Sequence, residues 1–185
     1  MKYFKKIIGE RIYLSPRNSE DVEIFTKWLN DFEITDYIGM SSNVVTLDAE
    51  RKYLQENASE YGFVIVTLDE NKMIGTVALE RVDYVHKTAT LGIFIGESEY
   101  LNKGYGKEAI NLILDYGFNY INLHSINLNV YSFNNRAINC YKKCGFKQAG
   151  IIRQNKYLNG KYYDTICMDI LKSEFTNSYI KNKNI

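Results

Sequence analysis

The order of strand-like and helix-like segments is the feature of this sequence that most restricts its fold. Residues 63–95 contain three consecutive strand candidates joined by short turns, which predicts an antiparallel meander. Helix, strand and helix candidates follow, and then two strands around Asn159-Gly160, a dipeptide typical of hairpin turns. The complete predicted order, β α α β β β α β α β β, indicates a mixed α/β (α+β) domain.

The boundaries of these segments follow from hydrophobic periodicity and from turn residues. The predicted strands are 11–14, 63–68, 73–82, 88–95, 125–131, 146–158 and 161–171. The first predicted helix is capped by Ser19 and reaches residue 29, and the others span 48–59, the segment from the glycine loop to about 120, and 134–143.

Composition indicates one globular domain, expected over residues 1–185. The 45% hydrophobic content allows a sizeable core, and 23 Lys+Arg against 22 Asp+Glu is unlike a nucleic-acid-binding protein. Three cysteines without a CxxC pair predict neither a disulfide framework nor a zinc site. The start, MKYFKKII, is too short for a signal sequence, and no apolar run approaches the roughly 20 residues of a membrane span. We therefore expect a cytoplasmic protein, monomeric or homo-oligomeric, without membrane or nucleic-acid partners.

Residues 97–113, ESEYLNKGYGKEAINLI, are typical of a glycine-rich loop that opens into a helix, where backbone N–H groups bind phosphate. A nucleoside-triphosphate loop is disfavoured because Leu101 and Glu108 stand where that motif requires Gly and Ser/Thr. A dinucleotide fingerprint is disfavoured because eight residues separate Ile95 from Gly104 and no acidic residue occurs at 122–131. A simple turn before a helix remains as the alternative.

A second segment distinguishes these alternatives. Residues 130–146, VYSFNNRAINCYKKCGF, contain Asn134, then Tyr141 seven residues later, then Gly145-Phe146. Together with LNKGYG at 101–106, this segment resembles the GNAT family of N-acetyltransferases, most of all the subgroup of ribosomal-protein and spermidine N-acetyltransferases. The family's loop reads [RQ]xxGx[GA], so Leu101 departs from it. The loop binds mainly through backbone N–H groups, so the identity of the side chain at position 101 matters little.

The resemblance implies the GNAT fold: a mostly antiparallel sheet of about seven strands with four helices, splayed between the strands at 88–95 and 125–131. It also implies acetyl-CoA as co-substrate and no metal. The loop would hold the pyrophosphate, and the strand before it would pair with the pantetheine amides. The residues expected to bind acetyl-CoA are Ile93, Phe94, Ile95, Asn102, Lys103, Gly104, Tyr105, Gly106, Lys107 and Asn134.

Two residues are candidates for catalysis by direct attack of an amine on the thioester. Tyr141 would protonate the departing thiolate, because a phenol and a thiol have pKa values of roughly 10 and 8.5. The subgroup often has the strand motif AELGI; this chain reads ATLGI, with Thr90 in place of the Glu, so Glu80 becomes the candidate base. An acetyl-cysteine intermediate on Cys140 is disfavoured, because neighbouring helix positions point about 100° apart and no histidine is close in sequence.

The acceptor is the least determined part of the expected reaction. Residues 17–70 carry 12 acidic and 4 basic side chains, a net charge of −8, which favours a cationic small amine. The missing AELGI glutamate instead favours a protein N-terminal α-amine, which is more often neutral at pH 7. Glu33, Asp36 and Tyr37 are the expected acceptor-binding residues. The open alternatives are a spermidine or polyamine N-acetyltransferase and a non-catalytic acetyl-CoA-binding module.

Overall fold

The computed structural model describes residues 2–56, 60–176 and 178–180. Its strands are β1 (Ile7–Ile8), β2 (Ile12–Pro16), β3 (Gly62–Thr67), β4 (Met73–Asp83), β5 (Thr88–Ile95), β6 (Ser125–Tyr131), β7 (Lys147–Leu158) and β8 (Lys161–Leu171). Its α-helices are α1 (Val22–Leu29), α2 (Phe32–Ile38), α3 (Leu47–Glu56), α4 (Tyr105–Asn119) and α5 (Asn135–Lys143). In these described parts of the chain, no helix is long and apolar enough to span a membrane.

All eight strands join one sheet in the order β1-β2-β3-β4-β5-β6-β8-β7. Neighbouring strands are antiparallel except β5 and β6, which α4 connects as a crossover. The parallel pairing runs only from Thr88↔Ser125 to Thr90↔Asn127, although both strands continue well beyond it. The two strands therefore diverge, which confirms the predicted splay and the mixed, mostly antiparallel GNAT architecture.

Within the described residues, the sheet has one strand more, and the chain one α-helix more, than the seven strands and four helices predicted. Strand β1 has two residues, too few to show a period-two pattern. Helix α2 has seven residues, and only its ends carry signals: the Asp31 side chain accepts from the Glu33 N–H at 2.9 Å, and Gly39 ends it with φ +82°. The expected cap at Ser19 was one residue late, because Asn18 accepts from the Glu20 N–H and caps a 3-10 turn over Ser19–Asp21.

Helix α3 was predicted over 48–59 and ends at Glu56 in the structure, while residues 57–59 lie outside the described residues. Its observed start, Leu47, is one residue earlier than predicted, which is within the usual uncertainty of helix ends.

Two hydrophobic clusters lie on opposite faces of the sheet. The larger contains α4 and α5 residues and the β4–β6 side chains that face them. Gly117 lets α4 approach closely, since a Cβ there would lie 2.9 Å from the Ile126 side chain. The smaller cluster packs Phe25 and Trp28 of α1 and Leu54 of α3 against β3. Each buried aliphatic or aromatic side chain contributes about 1.5–3 kcal/mol. The helices on both faces thus frame the opening between β5 and β6.

Candidate active site

A cleft of about 1180 Å³ occupies the opening between β5 and β6. Residues of all five helices and of β4, β5 and β6 line it, so it joins the two faces of the sheet. Twelve of the fifteen predicted site residues line it: Glu33, Tyr37, Glu80, Ile93, Phe94, Ile95, Asn102, Gly104, Gly106, Lys107, Asn134 and Tyr141. Lys103, Tyr105 and Asp36 are not among the lining residues.

The glycine-rich loop ends at Gly104, which precedes the first residue of α4 and has φ +87°. That left-handed conformation suits glycine, whereas an L side chain in it is strained. Asn102, two residues earlier, is also left-handed at φ +60°. The loop consequently delivers the unpaired N–H groups of the first turn of a fifteen-residue helix to the cleft, a place that attracts anions.

Arg11 and Glu108 hold this loop from outside the cleft. Glu108 Oε1 accepts from the backbone N–H groups of Glu10 at 2.7 Å and Arg11 at 2.9 Å. Arg11 Nη1 donates to the Lys103 carbonyl at 3.0 Å, and its guanidinium lies 4.5 Å from the centre of the Tyr105 ring. These contacts account for part of the difference from the prediction, because the Lys103 carbonyl and the Tyr105 ring face Arg11 although Asn102, Gly104 and Gly106 beside them line the cleft.

Two residues of the second motif lie where α5 meets the cleft. The Asn134 side chain accepts from the Ala137 N–H at 3.2 Å, so it caps α5 as well as lining the cleft. Tyr141 is only 9% exposed and packs edge-on against Phe146, with ring centres 5.9 Å apart. No hydrogen-bond partner of its hydroxyl occurs among the described residues. Burial, and to a smaller extent the nearby Cys140 and Cys144, raise the pKa of Tyr141, which keeps the phenol protonated.

Cys140 also lines the cleft, so helix geometry alone does not remove it from the site. A hydrogen bond with Cys144 lowers the pKa of the Cys140 thiol, burial opposes this, and Lys107 and Lys143 lower it further. Neither histidine of the chain is among the lining residues. A cysteine nucleophile would therefore lack the histidine base that normally activates it.

Glu80 faces the cleft at the point where β5 leaves β6. It is paired with Thr90 across β4 and β5, and a Cβ on Gly92 would lie 3.3 Å from Glu80 Oε1. The Thr90 hydroxyl donates to Asn127 Oδ1 at 3.1 Å. The carboxylate that position 90 lacks is thus present on the neighbouring strand.

The α1–α3 side of the cleft combines acidic and aromatic side chains. Glu33 and Tyr37 lie on α2, and the Arg136 guanidinium of α5 lies 5.5 Å from the Tyr37 ring centre. Trp28 Nε1 donates to Glu97 Oε1 at 3.0 Å at the cleft wall.

Sequence reasoning missed Arg17 and Glu50, which line this side together with Asp31, one of the acidic residues of the 17–70 segment. For Glu50 a signal existed: it lies one helical turn before the buried Leu54, on the apolar face of α3. Among the described residues, no group of three or more His, Cys, Asp or Glu side chains is placed to hold a metal ion.

Comparisons with known proteins agree with this geometry. A family model for the acetyltransferase (GNAT) domain matches residues 11–147. A spermidine N(1)-acetyltransferase of Vibrio cholerae is 37% identical over 126 residues, covering 68% of this chain and 71% of the relative. An uncharacterized N-acetyltransferase of the SPbeta prophage of Bacillus subtilis is 31% identical over 170 residues, covering 90% and 93%.

Among solved structures, the spermidine N-acetyltransferase from Vibrio cholerae in complex with CoA and spermine matches with a TM-score of 0.81. It is 30% identical and covers 90% of this chain and 99% of its own. The resemblance to the GNAT family and to its spermidine-acetyltransferase subgroup is confirmed. The chain belongs to the GNAT family and is an N-acetyltransferase.

Proposed function

We propose that the protein transfers the acetyl group of acetyl-CoA to a primary amine of a polyamine such as spermidine. The acceptor amine attacks the thioester directly in a ternary complex. Two of the relatives described above are spermidine N-acetyltransferases. They support the polyamine alternative over a protein N-terminal amine.

The distribution of charge within the cleft carries this proposal. The lining residues numbered 101–143 include three cationic side chains, Lys107, Arg136 and Lys143, and no carboxylate among those described. The lining residues numbered 17–97 include five carboxylates and three cationic side chains. The lining from the later part of the chain is therefore cationic, with Arg136 reaching Tyr37 on the acceptor side, and the lining from the earlier part has five carboxylates against three cations, a net charge of −2. This supports a polyanion near Lys107 and a polycation near Glu33 and Glu80.

The donor end fits acetyl-CoA in three respects. The left-handed Gly104 exposes N–H groups of the first turn of α4 for a pyrophosphate, and Lys107 adds positive charge. Residues 91–95 continue β5 beyond its pairing with β6, so Ile93, Phe94 and Ile95 can offer backbone groups to an amide-bearing arm. Asn134 would contribute the side-chain amide that its capping bond leaves free. Acetyl-CoA supplies the activated acetyl group.

Tyr141 and Glu80 perform the proton transfers in this proposal. Tyr141 donates its phenolic proton to the leaving sulfur. Burial raises the pKa of Tyr141, so the phenol is protonated before this step. Glu80 accepts a proton from the acceptor ammonium, directly or through water. A polyamine primary amine near pKa 10.4 is neutral less than one part in a thousand at pH 7, so it needs such a base more than an α-amine does.

Glu33, Asp36 and Tyr37 are proposed to attract the acceptor. Glu33 and Tyr37 line the cleft directly, whereas Asp36 would act only through the local negative charge. The screening of exposed charges over about 8 Å at physiological salt limits that effect to the entrance.

Release of free thiol from acetyl-CoA in the presence of an amine panel tests the proposal. The panel comprises spermidine, spermine, an N-terminal peptide and an aminoglycoside. We expect rapid thiol release with the polyamines and slow release with the peptide. Acetyl-CoA binding without release for any amine would support a non-catalytic binding module instead.

A further inference from the structure

Glu50 is a buried carboxylate that the proposed reaction does not use. It is 5% exposed and lies on the inner face of α3, one helical turn before Leu54. No hydrogen bond or ion pair within 4 Å reaches its carboxylate from any described residue, yet it lines the cleft. Its oxygens are not among the fully buried side-chain atoms that lack partners, so they are accessible from the cleft. A largely buried carboxylate without a protein partner is a favourable place for a cationic group of a ligand.

The positive charge that acts on Glu50 is Arg17, but the guanidinium of Arg17 hydrogen-bonds to another residue. Its Nη2 donates to the Thr76 hydroxyl at 3.2 Å, and the Thr76 hydroxyl donates in turn to the Phe63 carbonyl at 2.7 Å. Arg17 Nε is buried without a partner among the described residues. Burial raises the pKa of Glu50, and the charge of Arg17 opposes this to a smaller extent. Arg17 therefore compensates the Glu50 carboxylate only in part.

Strand β4 links Thr76, the hydrogen-bond partner of Arg17, to the proposed base Glu80. Thr76 and Glu80 lie four residues apart on β4, so their side chains emerge on the same face of the sheet. At about 3.3 Å per residue, they are separated by roughly 13 Å along the strand. Phe94, the strand partner of Thr76, lies on the same face and contacts Trp28 edge-on, with ring centres 5.8 Å apart. Between the two ends, this face carries only Ala78 of β4 and its strand partner Gly92 of β5, and the Phe94–Trp28 ring pair lies at the Thr76 end.

We infer that Glu50 binds a second ammonium group of the acceptor, remote from the amine that is acetylated. The cleft then selects α,ω-diamines and longer polyamines in which an alkyl chain runs from Glu80 past Ala78 and Gly92 towards the Phe94–Trp28 ring pair. This inference rests on the proposed function, which it deepens by assigning a specificity residue. A monoamine of the same length would lack the contact with Glu50 and would bind mainly through its chain.

The test compares 1,8-diaminooctane with octylamine on the wild-type protein and on Glu50→Gln. Two readouts are taken: amine-dependent thiol release from acetyl-CoA, and fluorescence of Trp28, the single tryptophan, which lines the cleft. The matched control is Glu56→Gln, on the same helix, with a side chain 60% exposed and outside the cleft lining. Glu50→Asp keeps the charge and serves if the amide variant unfolds, as judged by thermal unfolding.

Because Glu50→Gln removes a charge-assisted hydrogen bond, we expect it to lower the affinity for the diamine and the kcat/KM for the diamine by about 10- to 100-fold. The octylamine values should change less than about 3-fold, and Glu56→Gln should match wild type. Equal effects on both amines, or no effect on either, would overturn the inference. Glu50-dependent diamine binding without thiol release for any amine would sustain the inference and refute the proposed function. Diamine acetylation at the same rate in wild type and Glu50→Gln would refute the inference and sustain the proposed function.

Discussion

Arg11 and Glu108 join the residue before β2 to the first turn of α4, with Arg11 Nε donating to Glu108 Oε2 at 3.1 Å. The same arginine donates to the Lys103 carbonyl, and the same glutamate accepts backbone N–H groups from Glu10 and Arg11. The conformation of the proposed pyrophosphate loop is thereby tied to the sheet edge.

Glu108→Ala is expected to loosen the loop. It leaves the N–H groups of Glu10 and Arg11 without their acceptor, which costs about 1–3 kcal/mol of unfolding free energy in urea titrations. The KM for acetyl-CoA should rise several-fold while kcat changes less. Glu99→Ala removes a more exposed ion pair with Lys72 and should cost under about 1 kcal/mol. Equal destabilisation by both variants would show that Glu108 has no special role.

Gly104→Ala is expected to destabilise the loop because the residue has φ +87° and an added Cβ would lie 3.2 Å from Arg11 Nη2. The left-handed conformation alone costs about 1–2 kcal/mol. Calorimetric titration with acetyl-CoA should show weaker binding. Gly150→Ala is the control, since nothing lies within 4 Å of its Cβ position. Undiminished acetyl-CoA affinity in Gly104→Ala would contradict the assignment of the loop.

Tyr141→Phe is expected to lower kcat by about 100-fold, the typical contribution of a general acid, with acetyl-CoA binding unchanged. Burial raises the pKa of Tyr141, so the wild-type rate should not fall through loss of this proton below about pH 10. Steady-state rates from pH 7 to 10 check both statements. Tyr162→Phe, at a side chain 64% exposed on the β7–β8 hairpin, should leave kcat unchanged. If both variants turned over at the wild-type rate, Tyr141 would have no catalytic role.

Glu50→Gln is expected to change the pH dependence of stability. Because the folded-state pKa of Glu50 is raised from 4.5, the folded protein holds this proton more tightly than the unfolded chain does. Wild-type stability therefore falls relative to the variant as pH rises above about 4.5, and the two converge at lower pH. Urea unfolding at pH 4 and pH 7 measures this difference. A variant less stable than wild type at pH 7 would contradict the assigned burial cost.

The sequence was informative where chain geometry demands particular residues. A left-handed turn favours Gly104 and a helix start favours Asn134, and both residues occupy the local positions predicted for them. The β5–β6 splay was predicted from the resemblance to the GNAT family. Helix α2 was not predicted because seven residues carry no clear period, although Asp31 and Gly39 mark its ends.

Glu50 was not predicted as a site residue because an acidic residue on a helix normally faces solvent, and only tertiary packing shows that this one faces inward. Asp36 was expected in the cleft and is not among its lining residues, because it points about 100° away from its neighbour Tyr37, which does line the cleft.

The most direct test of polyamine acetylation is the ratio of kcat/KM for spermidine to that for an N-terminal peptide, with products identified by mass spectrometry. The charge distribution of the cleft predicts monoacetylated spermidine and a ratio of at least about 10, since the peptide lacks the second ammonium group assigned to Glu50. A ratio below one, with acetyl on the peptide α-amine, would contradict it.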